Sequence, residues 1–220
     1  VPGSVYAVLL EQGKMPDPYY RDNELNATRL MENDFVYETD LEITEEMLSM
    51  DGVMLRFEGI DTLGEVYLGE TLLGHVENMH RIWEYDIRQL ARVGSNTLRV
   101  LLHSPIRYIK EENEKVFTGG SNEAMAGYPH LRKAHCMFGW DWGPRLPDAG
   151  IWRDLRLIAF DEIRLEEVYI TQKHAPGMVT LQLKVGVEKR GSERELIFGK
   201  DDGKLSGCSY RVRVTGPEGT

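Results

Sequence analysis

The chain has 220 residues, a formal net charge of -10 and a pI near 5.2, which excludes nucleic acid or an anionic membrane surface as its main partner and leaves neutral ligands such as sugars open. A hydrophobic fraction of 41% with 28% charged residues reads as a folded, globular chain rather than a disordered one. No apolar run of about 18 residues is present to span a membrane. Two cysteines, Cys136 and Cys208, make no disulfide framework and read as free thiols of a reducing compartment, so a cytoplasmic location is expected.

Taken in chain order, Val1 to Asn33 is rich in Pro, Gly, Asp, Asn and Tyr without a sustained period. It reads as irregular, with at most a helical turn from Ser4 to Gln12. Phe35 to Ile43 alternates near its end and reads as a strand, and the acidic stretch Thr44 to Asp51 as a connecting turn closed by Asp51-Gly52. Val53 to Ile60 alternates, with Val53, Leu55 and Phe57 on one face. Glu65 to Leu68, Gly69-Glu70 and Thr71 to Gly74 read as a tight hairpin. Trp83 to Ile87 and, after the Gly94-Ser95-Asn96 turn, Thr97 to Leu102 are two further strands. Tyr108 to Val116 suits a short helix and Thr118 to Tyr128 a Gly-rich loop, within a long insertion from Pro105 to Pro129 of the kind that is usually functional or disordered. Ile151 to Phe160 returns to strand alternation. About six to eight short strands with almost no helical period predict an all-β sandwich or jelly roll. A second unit begins near Glu162, where Met178 to Glu188 and Tyr210 to Thr215 alternate. Some 60 residues are too few for a complete sandwich of the immunoglobulin type, which takes roughly 100.

The densest chemistry lies in Arg132 to Arg145, where Trp140-Asp141-Trp142 is followed by Gly143-Pro144. An aromatic face stacks on the apolar C–H face of a pyranose, and a neighbouring carboxylate accepts hydroxyl hydrogen bonds, stronger for being charged. The competing structural reading is a buried aromatic corner, with Asp141 capping backbone amides. Glycoside hydrolysis needs two carboxylates about 5 Å apart in retaining enzymes and farther apart in inverting ones. None of the 36 Asp and Glu residues stands out as such a pair, so no catalytic residue is assigned. The histidines show no zinc-site spacing; His130 and His135, five apart and near Cys136, could bind a metal but read better as part of a turn-and-strand polar site, and no nucleotide, phosphate or nucleophile motif is present. No metal and no cofactor is expected.

These segments resemble a known family. Gly59 to Leu68 with Leu73-Gly74, Gly94 to Val100, and Gly150 to Leu157 resemble the sugar-binding jelly roll of glycoside hydrolase family two. Val1 to Tyr6, Pro16 to Glu24 and Phe138 to Arg145 resemble its β-mannosidase branch. The resemblance covers roughly residues 1 to 160. It implies a galactose-binding-like jelly roll over 1–160, followed by an incomplete immunoglobulin-like sandwich over 161–220. It further implies a retaining hydrolase of terminal β-mannosides, whose acid/base and nucleophile glutamates lie on a later barrel. A β-mannoside oligosaccharide or glycoconjugate and the remaining domains of the same chain would then be the partners, and the family's first strand would precede Val1. On the matching positions, Asp141 would accept sugar hydroxyls, Trp140 would wall the ring and Trp142 would pack inside. Arg132 and Lys133 would support Asp141 by charge. A free-standing carbohydrate-binding module, a family-two β-galactosidase or exo-glucosaminidase, and a sandwich without a site are the competing readings.

Overall fold

The computed structural model describes residues 1–189, 204–205, 208–209, 211–213 and 215. The chain divides into two compact units, Val1–Ala159 and Phe160–Thr220. The first unit opens with α1 (Val5–Glu11) and α2 (Asn23–Leu30), then runs through β1 (Phe35–Ile43), α3 (Glu45–Ser49), β2 (Gly52–Phe57), β3 (Gly64–Leu68), β4 (Thr71–Val76), β5 (Trp83–Asp86) and β6 (Gly94–Leu102). It continues with α4 (Pro105–Lys115), β7 (Phe138–Trp140), β8 (Gly143–Arg145) and β9 (Leu155–Phe160). The strands make a four-stranded sheet in the order β1-β6-β3-β4 and a three-stranded sheet in the order β5-β2-β9, with β7-β8 a separate two-stranded hairpin.

Period-two alternation explains the pairing. In β6, Asn96, Leu98, Val100 and Leu102 turn inward, while β2 buries Val53, Leu55 and Phe57. The apolar side chains among these, drawn from both sheets, join Ile43, Val66 and Ile87 in one apolar cluster. Each fully buried side chain of this size contributes about 1.5 to 3 kcal/mol. The β1 and β6 strands pair antiparallel along their whole length, from Phe35 opposite Leu102 to Ile43 opposite Gly94. The β3-β4 hairpin closes at Gly69-Glu70, where Gly69 takes φ +56°, a backbone region that suits glycine.

Four sequence expectations change. The opening stretch is not irregular: α1 is capped by the Ser4 hydroxyl, which accepts from the Ala7 amide at 3.3 Å. The second helix, α2, was unexpected. Packing holds it rather than periodicity, because Ala27 and Met31 are buried and the Tyr6 hydroxyl donates to the Ala27 carbonyl at 2.7 Å. The acidic turn from Thr44 to Asp51 contains α3, capped by the Thr44 hydroxyl accepting from the Met47 amide at 3.2 Å. The strand expected from Ile151 begins instead at Leu155, and Gly150 forms an isolated bridge with Asp61. The helix expected from Tyr108 starts three residues earlier at Pro105, preset by the proline at its first turn and by the Ser104 cap.

In the second unit, β10 (Ile163–Ala175) and β11 (Met178–Lys189) form a long antiparallel hairpin. The alternation expected from Tyr210 to Thr215, and the side chain of Cys208, fall at least partly outside the described residues.

Candidate functional site

The Trp140-Asp141-Trp142 segment is the tip of a hairpin. Trp140 pairs with Gly143 across β7 and β8, so Asp141 and Trp142 are themselves the two turn residues. Gly139 in β7 has φ +89°, and a Cβ there would run into the Arg145 side chain. Below the tip, Phe138 is fully buried and joins Ile109 and Leu131 in a small second core, with Tyr108, Tyr128, Met125 and Leu63 packed around it. Tyr128 lies 6.1 Å from the Phe138 ring, and its edge meets His135 at 4.9 Å. The Gly-rich loop supports the hairpin directly. The Met125 amide donates to the Phe138 carbonyl at 2.9 Å, and the Arg145 guanidinium donates twice to the Glu123 carbonyl, at 3.1 and 2.9 Å.

Both tip tryptophans face outward, Trp140 with 41% and Trp142 with 68% of its surface exposed, and Asp141 between them is exposed as well. The inward packing expected for Trp142 is therefore corrected: a residue in a two-residue turn has no sheet face to bury against. Beside Trp142 opens a cavity of about 400 Å³, lined by Tyr6, Tyr19, Cys136, Met137, Trp142 and Asp148 among others. Cys136 is a free, exposed thiol.

Lys133 does not approach as a surface cation. Its side chain is 0% exposed, and its ammonium bonds to the Asp61 carboxylate, itself 4% exposed, and donates to the Asp148 carbonyl at 2.7 Å. Burial pushes the ammonium down from its ordinary range, and the facing Asp61 and Asp148 oppose that shift. The expectation that Lys133 supports Asp141 through the field of a nearby charge is corrected, since its charge is committed to Asp61. Arg132 is exposed, and its backbone carbonyl accepts from the Met79 amide at 3.0 Å. His130 and His135 are engaged by backbone carbonyls: Val116 at 2.9 Å and Leu131 at 3.4 Å.

Sequence reasoning passed over Asp61 and Asp148. Asp61 lies in a segment read only as part of a hairpin, and Asp148 in a Pro-Asp-Ala-Gly stretch that was given no role. Burial pushes the Asp148 carboxyl up, offset by bonds from Ser4, the Tyr6 amide and the Ala149 amide and by the field of Lys133. No local signal marked either aspartate, because Lys133 sits among Arg132, His130 and His135 and looks like one more surface charge.

Residues 1–153 match the family model described as glycosyl hydrolase 2 galactose-binding domain-like. A β-mannosidase of Capra hircus is 32% identical over 193 residues, which is 84% of this chain and 22% of the relative. A β-mannosidase B of Neosartorya fischeri is 30% identical over 207 residues, 88% of this chain and 24% of the relative. Among solved structures, a β-D-mannosidase from Dictyoglomus thermophilum superposes with a TM-score of 0.80 at 33% identity, covering 86% of this chain and 23% of that one. The exo-chitosanase of Amycolatopsis orientalis superposes with a TM-score of 0.64 at 21% identity, over 87% of this chain and 20% of that one, a likeness of fold alone. The chain thus spans about a quarter or less of these relatives.

Proposed function

The chain belongs to the glycosyl hydrolase 2 galactose-binding domain-like family, and from that premise we propose that it is the sugar-contacting part of a retaining hydrolase that removes terminal β-D-mannose residues. The observation that carries the reading is the hairpin tip: a carboxylate held between two outward-facing indoles, on a base buried in two apolar cores. The likeness to β-mannosidases at 32% and 33% identity supports mannose as the sugar. The proposed partners are a β-mannoside oligosaccharide and the further domains of the same enzyme.

In a retaining reaction, two carboxylates act on the anomeric carbon as nucleophile and acid/base. This chain's contribution is to hold the sugar while they do so. Asp141 accepts hydroxyl hydrogen bonds, and a charged acceptor makes the stronger ones. Trp140 offers its face to the C–H side of the ring and excludes water from those bonds. Trp142 walls the adjoining cavity with Tyr19. Such contacts raise kcat as well as binding when they tighten toward the transition state.

The test assays p-nitrophenyl β-mannoside beside the β-galactoside and β-glucuronide, using the enzyme that carries this chain and its Asp141→Ala variant. The expected result is mannoside turnover that falls by roughly 30- to 1000-fold in kcat/KM, about 2 to 4 kcal/mol, with folding intact. Turnover unchanged in the variant removes Asp141 from the site. A wild type inactive on the mannoside overturns the substrate.

A further inference from the structure

The segment that carries Asp141 runs from Lys133, next to the Asn78–Arg132 bridge, to Asp148, two residues before the Asp61–Gly150 bridge. The Lys133 ammonium joins those two feet, donating to the Asp148 carbonyl at 2.7 Å while its charge is met by Asp61. Asp61 is in turn fixed to the returning segment by the Asp61–Gly150 bridge. Its amide donates to the Gly150 carbonyl at 2.8 Å, and the Gly150 amide donates back at 3.0 Å. The Asp148 carboxylate accepts from the Tyr6 amide at 3.1 Å and the Ala149 amide at 2.8 Å, which ties the returning foot to α1. Higher up, the Leu146 amide donates to the Met137 carbonyl at 2.8 Å, and the Thr28 hydroxyl to the Arg145 carbonyl at 3.0 Å. The loop is therefore drawn shut at its base and laced part of the way along.

We propose that Lys133 is a positioning residue for the sugar site: by clasping the two feet of the Ala134–Pro147 excursion, it sets where Asp141 and Trp140 stand at the tip. The proposal rests on the reading of Asp141 as a sugar contact, and it replaces a direct role for Lys133 with an indirect one. Lysine suits the task because its ammonium has three donors on a thin stem that can be buried whole, whereas arginine's wide planar fork does not fit a site shaped for one point charge. A clasp of this kind acts at a distance, because a displacement of about 1 Å at the tip costs roughly 100-fold in rate.

The test is a double-mutant cycle on the enzyme that carries this chain, with p-nitrophenyl β-mannoside as substrate and cooperative melting as the check on folding. Lys133→Met, Asp141→Ala and the pair together are compared. Where Lys133→Met fails to fold, Asp61→Asn with Lys133→Met replaces it, since that pair leaves no lone buried charge. The expected result is a folded Lys133 variant that loses roughly 100-fold in kcat/KM alone, yet less than about 3-fold more once Asp141 is already alanine. The same loss in both backgrounds overturns the proposal, because a merely structural lysine would act independently of Asp141. Wild-type activity in the folded Lys133 variant, with Asp141→Ala impaired, also overturns it and leaves the sugar site standing. Failure of both Lys133 variants to fold overturns it as well, by making the network a requirement of the whole domain. A silent Asp141→Ala instead removes the reading on which it rests.

Discussion

The two ends of one loop invert the usual rule of inside and outside. At its base, a lysine and an aspartate are buried, while at its tip two tryptophans stand in solvent. Charged residues are almost never fully buried unless paired, and large indoles are normally mostly covered. The pairing of Lys133 with Asp61 satisfies the first condition. The exposed indoles are the feature that asks for a ligand. The contrast separates stability from exposure along this segment: its feet are held by a buried ion pair, and its tip is left open for the sugar contact proposed above.

That contrast can be broken at the base first. Lys133→Met strands Asp61 without its partner and should lower stability by about 3 to 5 kcal/mol, whereas Asp61→Asn with Lys133→Met should recover much of the loss. Denaturant unfolding checks both, and equal destabilisation by the two variants would refute the pairing argument. Next in size is the support beneath the tip. Phe138→Ala empties the centre of the second core and should cost about 3 to 4 kcal/mol, with the melting temperature as readout. At the tip itself, Trp142→Ala should change stability by less than about 0.5 kcal/mol, since the side chain is 68% exposed. A large drop in melting temperature there would return Trp142 to a packing role.

Away from the loop, Ser104 offers a control. Its hydroxyl accepts from the Arg107 amide at 3.1 Å and donates to the Met31 carbonyl at 2.6 Å. Ser104→Ala should cost about 1 kcal/mol through the lost cap, without moving kcat/KM. The smallest effect is at Asp34. Burial pulls its carboxyl up, but the Ser104 amide, Arg107 and His103 outweigh that and hold it below the usual carboxylate range. A depressed carboxyl stabilises the fold above its unfolded value near 3.9 and loses that contribution as pH falls through the folded one. Asp34→Asn should therefore narrow the gap between stability at pH 6 and pH 3, by an amount that partial exposure keeps small. An unchanged gap would show that the pair contributes nothing.

The legible parts of this molecule were those set by neighbours in sequence. The β3-β4 hairpin follows from alternating residues around Gly69-Glu70, and the inward face of β2 from Val53, Leu55 and Phe57 at every second position. The Trp140-Asp141-Trp142 tripeptide also stood out in the sequence, and the structure makes it an exposed hairpin tip. The second helix was not, because its stability comes from Tyr6 and the buried Met31 rather than from its own pattern.

By itself, the sequence determined most of the strands and the tight β3-β4 turn, and it singled out the tripeptide proposed as the sugar contact, since these rest on period-two alternation, turn chemistry and side-chain type. Only the tertiary structure decided which way those residues face and what Lys133 does. Its partner Asp61 lies 72 positions away, and its acceptor at Asp148 15 positions away. A buried charge takes its role from whatever the fold brings to meet it, and that meeting has no local signature.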